Sequence, residues 1–274
     1  MTTEYLDAPA VPLTDATEMG IPSRRASTTV EEERHRRKVA LVGGYRILSQ
    51  FGLDEGISGH ITARDPEDPH RFWTGRWGRN FGAMTIDDLI LVDRAGTIVE
   101  GEGPLNLAAF AIHSAIHDAR PEVVGAVHSH GLHGKSFASL RRMLAPLTQD
   151  ACAFYGDHVL YDKYEGVVLA EQEGRGIAAE LGSCKAAILA NHGTLTVGTT
   201  VESAVWWFLA FERSIQAELL ARAAGAAVEL DHETASLTAE QTGNEQVGWF
   251  AYHAVIQKVL RAQDDFRGLW GAGI

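Results

Sequence analysis

The segment Val123-Val124-Gly125-Ala126-Val127-His128-Ser129-His130 constrains this chain more than any other, because it sets two histidines at the end of an apolar run. The run is rich in β-branched residues and follows Arg120-Pro121, where helix is disfavoured, so it reads as a buried strand. Side chains alternate along a strand, which puts His128 and His130 on one face as a two-toothed clamp. A second apolar run, Ala186 to Ala190, ends in Asn191-His192-Gly193 and is positioned to bring His192 beside the pair. A lone histidine among twelve is usually just hydrogen-bonded. Three at the ends of two apolar runs are a donor set for one divalent metal, since imidazole is the commonest transition-metal ligand.

The rest of the chain narrows the setting. Its 274 residues, 45% hydrophobic, suffice for a sizeable core. A formal net charge of −12 argues against nucleic acid as partner, because phosphate binding relies on lysine and arginine. Cys152 and Cys184 lack the spacing of a disulfide framework or a thiolate zinc site. No window is apolar enough to span a membrane and no signal-like h-region precedes Arg37, so a cytoplasmic protein without membrane partners is expected.

Residues 1–28 carry Pro9, Pro12 and Pro22 without periodicity and read as a mobile arm. Ser27-Thr28-Thr29 ahead of Glu31-Glu32-Glu33 predicts a capped helix to about Phe51. Short strands are predicted at 59–63, 71–74, 89–92 and 97–99. A helix capped by Asn106 is expected to Ala119, and a second over Ser136 to Leu144, stopped by Pro146. Further strands are predicted at 159–161, 167–169, 186–190 and 194–197. Helices are expected over 173–181 and 201–224, and a last one from Ala239 to Asp265. Residues 29–230 are expected to form the metal-binding domain and 231–274 a helical extension. No nucleotide-binding glycine loop occurs.

Taken in order, Gly56-Ile57-Ser58-Gly59-His60-Ile61-Thr62, Asp87-Asp88-Leu89-Ile90-Leu91-Val92-Asp93, Ala119-Arg120-Pro121 with Val127-His128-Ser129-His130, and Asn191-His192-Gly193-Thr194-Leu195 resemble the class II aldolase/adducin family over roughly residues 35–225. The resemblance implies a three-layer α/β/α domain with a central, largely antiparallel sheet. It also implies a homotetramer with active sites near subunit interfaces, a small-molecule substrate, and one divalent metal per subunit on His128, His130 and His192. Zn or Fe(II) is expected, with Mn and Co as further candidates. In the family's enzymes such a metal chelates substrate oxygens and stabilises the developing enediolate.

Two departures shape the functional expectation. Sugar-phosphate aldolases of the family carry Pro-Ser-Ser-Glu before the helix leading to the His-x-His strand, where this chain reads Gly103-Pro104-Leu105-Asn106. Asn106 is no usable base, ungapped alignment from Arg120-Pro121 puts Ala109 at the glutamate, and Glu102 reads as a solvated loop residue. The phosphate loop is equally altered: His60 stands where many aldolases have asparagine, and Arg76 and Arg79 read equally as anion ligands or surface charges. Trp73, Trp77 and Phe81 give that region an aromatic cast, which suits a flat or aryl substrate, with core packing as the plainer reading. Ser58, His60, Arg76, Trp77, Asn106 and Gln149 are the substrate-binding candidates. Tyr155 and His133 are the catalytic ones, with Asp150 and His158 behind them. Trp206, Trp207 and Phe208 read as core or subunit contact.

The first functional reading is therefore a metal-dependent lyase, cleaving or decarboxylating a small, non-phosphorylated oxygenated carbonyl compound. The second is a mononuclear non-heme Fe(II) oxygenase acting by oxidative decarboxylation on an aryl-pyruvate or 2-hydroxy acid, as in the CloR/NovR-like branch that the chain resembles. Three neutral imidazoles leave a dication with open positions for such an acid and dioxygen. The third is a non-catalytic adducin-like scaffold, disfavoured because all three histidines are present.

Overall fold

A computed structural model describes residues 16–17, 19–164, 166 and 171–270. One mixed sheet organises them. Its strands are β1 (His60–Arg64), β2 (Phe72–Gly75), β3 (Leu89–Val92), β4 (Ile98–Glu100), β5 (Gly125–Ser129), β6 (His158–Tyr161), β7 (Ala186–Leu189) and β8 (Gly193–Gly198), in the spatial order β4-β3-β2-β1-β5-β8-β7-β6. Every pairing is antiparallel except β6 with β7. This is the largely antiparallel central sheet that the family resemblance implies.

Helices cover both faces. Strand alternation is visible at β5: Val127 packs into the cluster built with α1 (Val30–Gln50), α6 (Val201–Ala224) and α8 (Glu245–Ala262). Its neighbour Ala126 packs on the other face, under α2 (Leu107–Ala119) and α5 (Glu171–Leu181). A third cluster under α3 (Leu132–Ala138) and α4 (Gln149–Cys152) holds Phe154, Trp207 and Phe211. Trp207 and Phe208 are core, as read from the sequence, and Trp206 is half-buried.

Local chemistry fixes the helix starts. Thr29 accepts from the Glu32 N–H ahead of α1, and Asn106 accepts from the N–H groups of Ala108 and Ala109 ahead of α2. Two predicted boundaries are corrected. The helix expected at 136–144 is α3, seven residues long and starting at Leu132, because the Glu212 carboxylate satisfies the N–H groups of His133 and Gly134. It ends well before Pro146. The single helix expected at 239–265 is three: α7 (His232–Thr242), α8 and α9 (Asp264–Trp270). Gly243 closes α7 and Asn244 starts α8 by accepting from the Val247 N–H, so helix-stop and helix-start signals meet back to back. The strand expected at 167–169 and most of the 1–28 arm lie outside the described residues. No described helix is long and apolar enough to cross a membrane.

Candidate metal centre and adjoining cleft

Register assembles the candidate ligands. In β5, His128 stands opposite His60 of β1 and Leu195 of β8, at the end of the sheet where β5 stops. His192 sits in the three-residue connection from Leu189 to Gly193, which pair across β7 and β8. That tight hairpin uses a left-handed residue, Asn191, at φ 57°. One nitrogen from each of His128, His130 and His192 falls within 4.8 Å of the others, and this is the metal-capable group found among the described residues. The ring centroids lie 4.6 to 5.1 Å apart.

The chemistry of the trio suits a cation. Thr194 O can only accept, so His128 Nδ1 donates to it at 2.9 Å and Nε2 keeps its lone pair. Burial and the neighbouring imidazoles hold His128 well below the usual imidazole range. His130 is lowered by burial and by Lys135. Burial followed by His130 takes His192 down to about 4. All three rings are therefore neutral at pH 7, the state a metal needs.

A second histidine layer lies behind the trio. The His60 ring is 5.2 Å from that of His128 and 4.1 Å from that of His113 on α2. The Thr62 hydroxyl joins His113 Nδ1, at 2.8 Å, to His117 Nε2, at 2.9 Å. The four side chains are buried, and His60 Nε2, His113 Nε2 and His117 Nδ1 have no partner. His113 and His117 were not among the predicted site residues. Their signal was the i, i+4 spacing on a helix face, opposite Thr62 at i+2 from His60.

His60 also lines a cleft with Tyr45, Phe72, Trp77, Phe81, Asn106 and Phe110. Arg76, Arg79 and Ala109 complete its wall, and its cavity volume is about 20 Å³, room for one water. Of the residues expected in this region, His60, Arg76, Trp77 and Asn106 meet in the cleft. Ser58 lies between two lining residues, Ile57 and Gly59, and donates its N–H to Glu55 O. Trp73 faces the opposite side, where its Nε1 donates to Asp65 and Lys38 sits over its ring. Arg76 and Arg79 are both engaged by the buried Asp88, at 2.6 and 2.9 Å. Glu102 is exposed.

The remaining candidates do not line this cleft. Tyr155 precedes β6, at the end of the sheet opposite His192, and its hydroxyl meets His232 Nδ1 at 3.0 Å. Gln149 and Asp150 line a separate groove with Phe51, Trp206 and Lys258. His158 is buried with both nitrogens used, Nδ1 on Phe154 O and Nε2 on the Leu144 N–H. His133 is half-buried and bonded to Glu212 through Nδ1. Tyr164 comes to 6.4 Å from His192, ring to ring, and like Glu212 it had no recognisable sequence motif.

Comparison with known proteins agrees with this arrangement. The family model described as "Class II Aldolase and Adducin N-terminal domain" matches residues 39–219. The chain is 40% identical over 243 residues to a 4-hydroxy-3-prenylphenylpyruvate oxygenase/4-hydroxy-3-prenylbenzoate synthase of Streptomyces roseochromogenus subsp. oscitans, covering 88% of each protein. It is likewise 40% identical to Decarboxylase NovR of Streptomyces niveus, over 86% of this chain and 88% of that protein. Among solved structures, one titled L-fuculose 1-phosphate aldolase from Glaciozyma antarctica PI12 superposes with a TM-score of 0.84 at 43% identity, covering 90% of this chain and 97% of that one. With the fold, the histidine trio and the family model in agreement, the chain belongs to the class II aldolase/adducin family.

Proposed function

We propose that this protein is a metal-dependent enzyme that oxidatively decarboxylates an aryl-substituted 2-oxo acid, with Fe(II) on His128, His130 and His192. One observation carries the reading: the cleft beside the trio is walled by Phe72, Trp77, Phe81 and Phe110, with Ala109, which ungapped alignment sets at the aldolase glutamate, in the same wall. When bound, the metal supplies Lewis acidity toward the 2-oxo acid and a site for dioxygen.

The chain's own residues supply recognition. The aromatic walls hold the aryl ring and exclude water, and the half-exposed Trp77 swings aside to admit it, since the resting cavity is too small. His60 Nε2 and Asn106 hold the polar end. A sugar phosphate fits less well, because it competes with Asp88 for Arg76 and Arg79. Glu212 fixes His133 with Nε2 free, which makes His133 the acid/base candidate in place of the absent glutamate. The overall reaction balances as aryl-pyruvate plus dioxygen giving a 2-hydroxy acid plus carbon dioxide. The two Streptomyces proteins, named as an oxygenase and a decarboxylase, support this reading. A homotetramer with sites near subunit interfaces belongs to the same proposal, and sedimentation checks it.

The test is anaerobic reconstitution with Fe(II), then phenylpyruvate and an oxygen electrode. Oxygen uptake matched one to one by carbon dioxide is expected. Turnover supported by zinc without oxygen would instead establish the non-oxidative lyase, the second reading, which the 43% identity to a structure titled as an aldolase favours.

A further inference from the structure

Arg141 and Asn191 are the two non-glycine residues with left-handed backbone among the described residues, at φ 50° and 57°. They are bonded to each other. Arg141 Nε and Nη2 both donate to Asn191 Oδ1, at 2.9 and 2.7 Å. The main chain repeats the link, since the N–H groups of Arg141 and Asn191 both donate to Ala138 O, at 3.3 and 3.2 Å. Asn191 immediately precedes His192, whose own N–H closes the turn on Leu189 O at 3.0 Å. Arg141 Nη1 also meets Asp162 Oδ1 at 3.2 Å, just past the end of β6 and two residues before Tyr164. Tyr164 in turn faces the His192 ring.

Stability does not explain this arrangement. The guanidinium is about half exposed, as is Asp162, and exposed ion pairs contribute little. A left-handed backbone at arginine costs free energy that a glycine would avoid. Non-glycine residues held in sparsely populated backbone regions cluster at working sites when the surroundings over-determine them, and here two are tied together beside a candidate ligand. Of the three candidate ligands His192 alone lies in a turn rather than on or just past a strand end, so its ring direction depends most on the connection that carries it.

We propose that Arg141 is a positioning residue: through Asn191 it fixes the His192 ring toward the other two imidazoles, and through Asp162 it holds the Tyr164 segment against that ring. This rests on the three-histidine metal site proposed above. His192 is thereby pre-oriented before any cation arrives, so part of the ordering cost of metal binding is met in folding.

The experiment titrates metal-free protein with Zn(II) by calorimetry, records the visible spectrum of the Co(II) form, and measures Tm without metal. The variants are Asn191→Gly, which keeps the left-handed turn but removes the acceptor, Arg141→Gly, and Arg141→Lys, which keeps the charge but loses the two-pronged donation. For all three, an increase of about 10- to 100-fold in the zinc dissociation constant is expected, the range seen when groups that orient a metal ligand are removed. An altered Co(II) spectrum should accompany it. In the two glycine variants the metal-free Tm should be unchanged or raised. Zinc affinity within twofold of wild type overturns the inference, and so does a fall in affinity matched by an equal fall in metal-free stability. Wild-type protein that binds no zinc overturns the metal site itself, a separate result visible before any variant is made.

Discussion

Glu212 on α6 holds His133 twice: its Oε1 accepts from the His133 main-chain N–H at 2.9 Å and from Nδ1 at 3.1 Å, while Oε2 accepts from the Gly134 N–H at 2.8 Å. The carboxylate is buried, and a Cβ on Gly131 or Gly134 would come within 2.8 Å of it, so the sequence keeps glycine on both sides. One side chain thus caps α3 and fixes an imidazole tautomer.

These two tasks separate by mutation. Glu212→Ala leaves two helix N–H groups without an acceptor and is expected to cost about 3 kcal/mol. In a chain of this size that lowers Tm by roughly 6–12 °C. Glu212→Gln keeps one acceptor oxygen and should lose less stability, yet turnover should fall about 100-fold, as is expected for His133→Gln. The double variant should be no slower than either single one, because residues acting as a unit are non-additive. Calorimetry and steady-state kinetics on the four proteins check this. Full activity in His133→Gln would remove His133 from the chemistry.

The three-histidine site makes a second expectation. His130→Ala and His192→Ala remove half-buried rings and should leave metal-free stability nearly unchanged while bound metal falls below about a tenth of wild type. His128→Ala should also lose metal, and in addition lower stability by about 1–3 kcal/mol, since the buried ring leaves a cavity and Thr194 O loses its donor. A chelator should abolish activity of the native protein, and added Fe(II) should restore it. Metal analysis by mass spectrometry, with calorimetry, reads each outcome.

Much of this was legible beforehand, and the gaps have physical causes. His128 and His130 announce themselves because strand period and ligand spacing coincide, and Asn106 because a cap and an apolar period meet. Tyr155 is a catalytic candidate by residue type, but the strand direction of β6 carries Tyr155 and Tyr164 to opposite ends of the sheet. Glu212 lies 79 positions from His133, and nothing local marks a glutamate within an apolar helix as a cap for a distant one. Trp73 and Trp77 read as one aromatic loop, whereas the pleat sends Trp73 into the core beneath α1. What stays hidden in sequence is pairing across long separations and the face on which a short strand's side chains emerge.

The histidines also dictate the acid limb of stability in the metal-free protein. Burial, aided by Arg64, brings His117 down to about 3, and His192 lies at about 4, against about 6.5 in the unfolded chain. His60, His113 and His128 are lowered in the same direction, chiefly by burial. Between pH 6.5 and the folded values the unfolded chain binds protons that the native state refuses, so stability is complete above 6.5 and declines as pH falls. Each such fully buried ring contributes a slope of up to about 1.4 kcal/mol per pH unit. Glu33 and Asp65, both near 2, add to the loss only below about pH 4.5. Melting curves at pH 7.5, 6.5, 5.5 and 4.8 should therefore show little change over the first interval and a steepening fall over the next two. Flat stability down to pH 4.8 would mean that these imidazoles bind protons in the folded state as readily as in the unfolded chain.

Ala109 offers the sharpest separation of aryl chemistry from aldol cleavage. It is buried in the cleft wall that His60 also lines, in the helix turn that Asn106 caps, at the position that ungapped alignment from Arg120-Pro121 assigns to the glutamate of the aldolases. Were the chain an aldolase lacking only that group, Ala109→Glu would create activity toward hydroxylated aldol substrates. The cleft predicts otherwise. In the resting cleft, with its cavity of about 20 Å³, a carboxylate on α2 finds no cationic partner, because the nearby guanidinium groups of Arg76 and Arg79 are already held by Asp88. A carboxylate placed there is desolvated without a partner, so Ala109→Glu should lose several kcal/mol of stability and all turnover of an aryl 2-oxo acid. Phe110→Ala in the same wall should instead fold and raise the KM for phenylpyruvate by about 10-fold or more, while changing that for pyruvate less than threefold, because only the ring uses the wall. Comparing the two substrates in the two variants decides the matter: equal effects on both acids would detach the aromatic cleft from substrate recognition, and aldol cleavage gained by Ala109→Glu would return the protein to the aldolases.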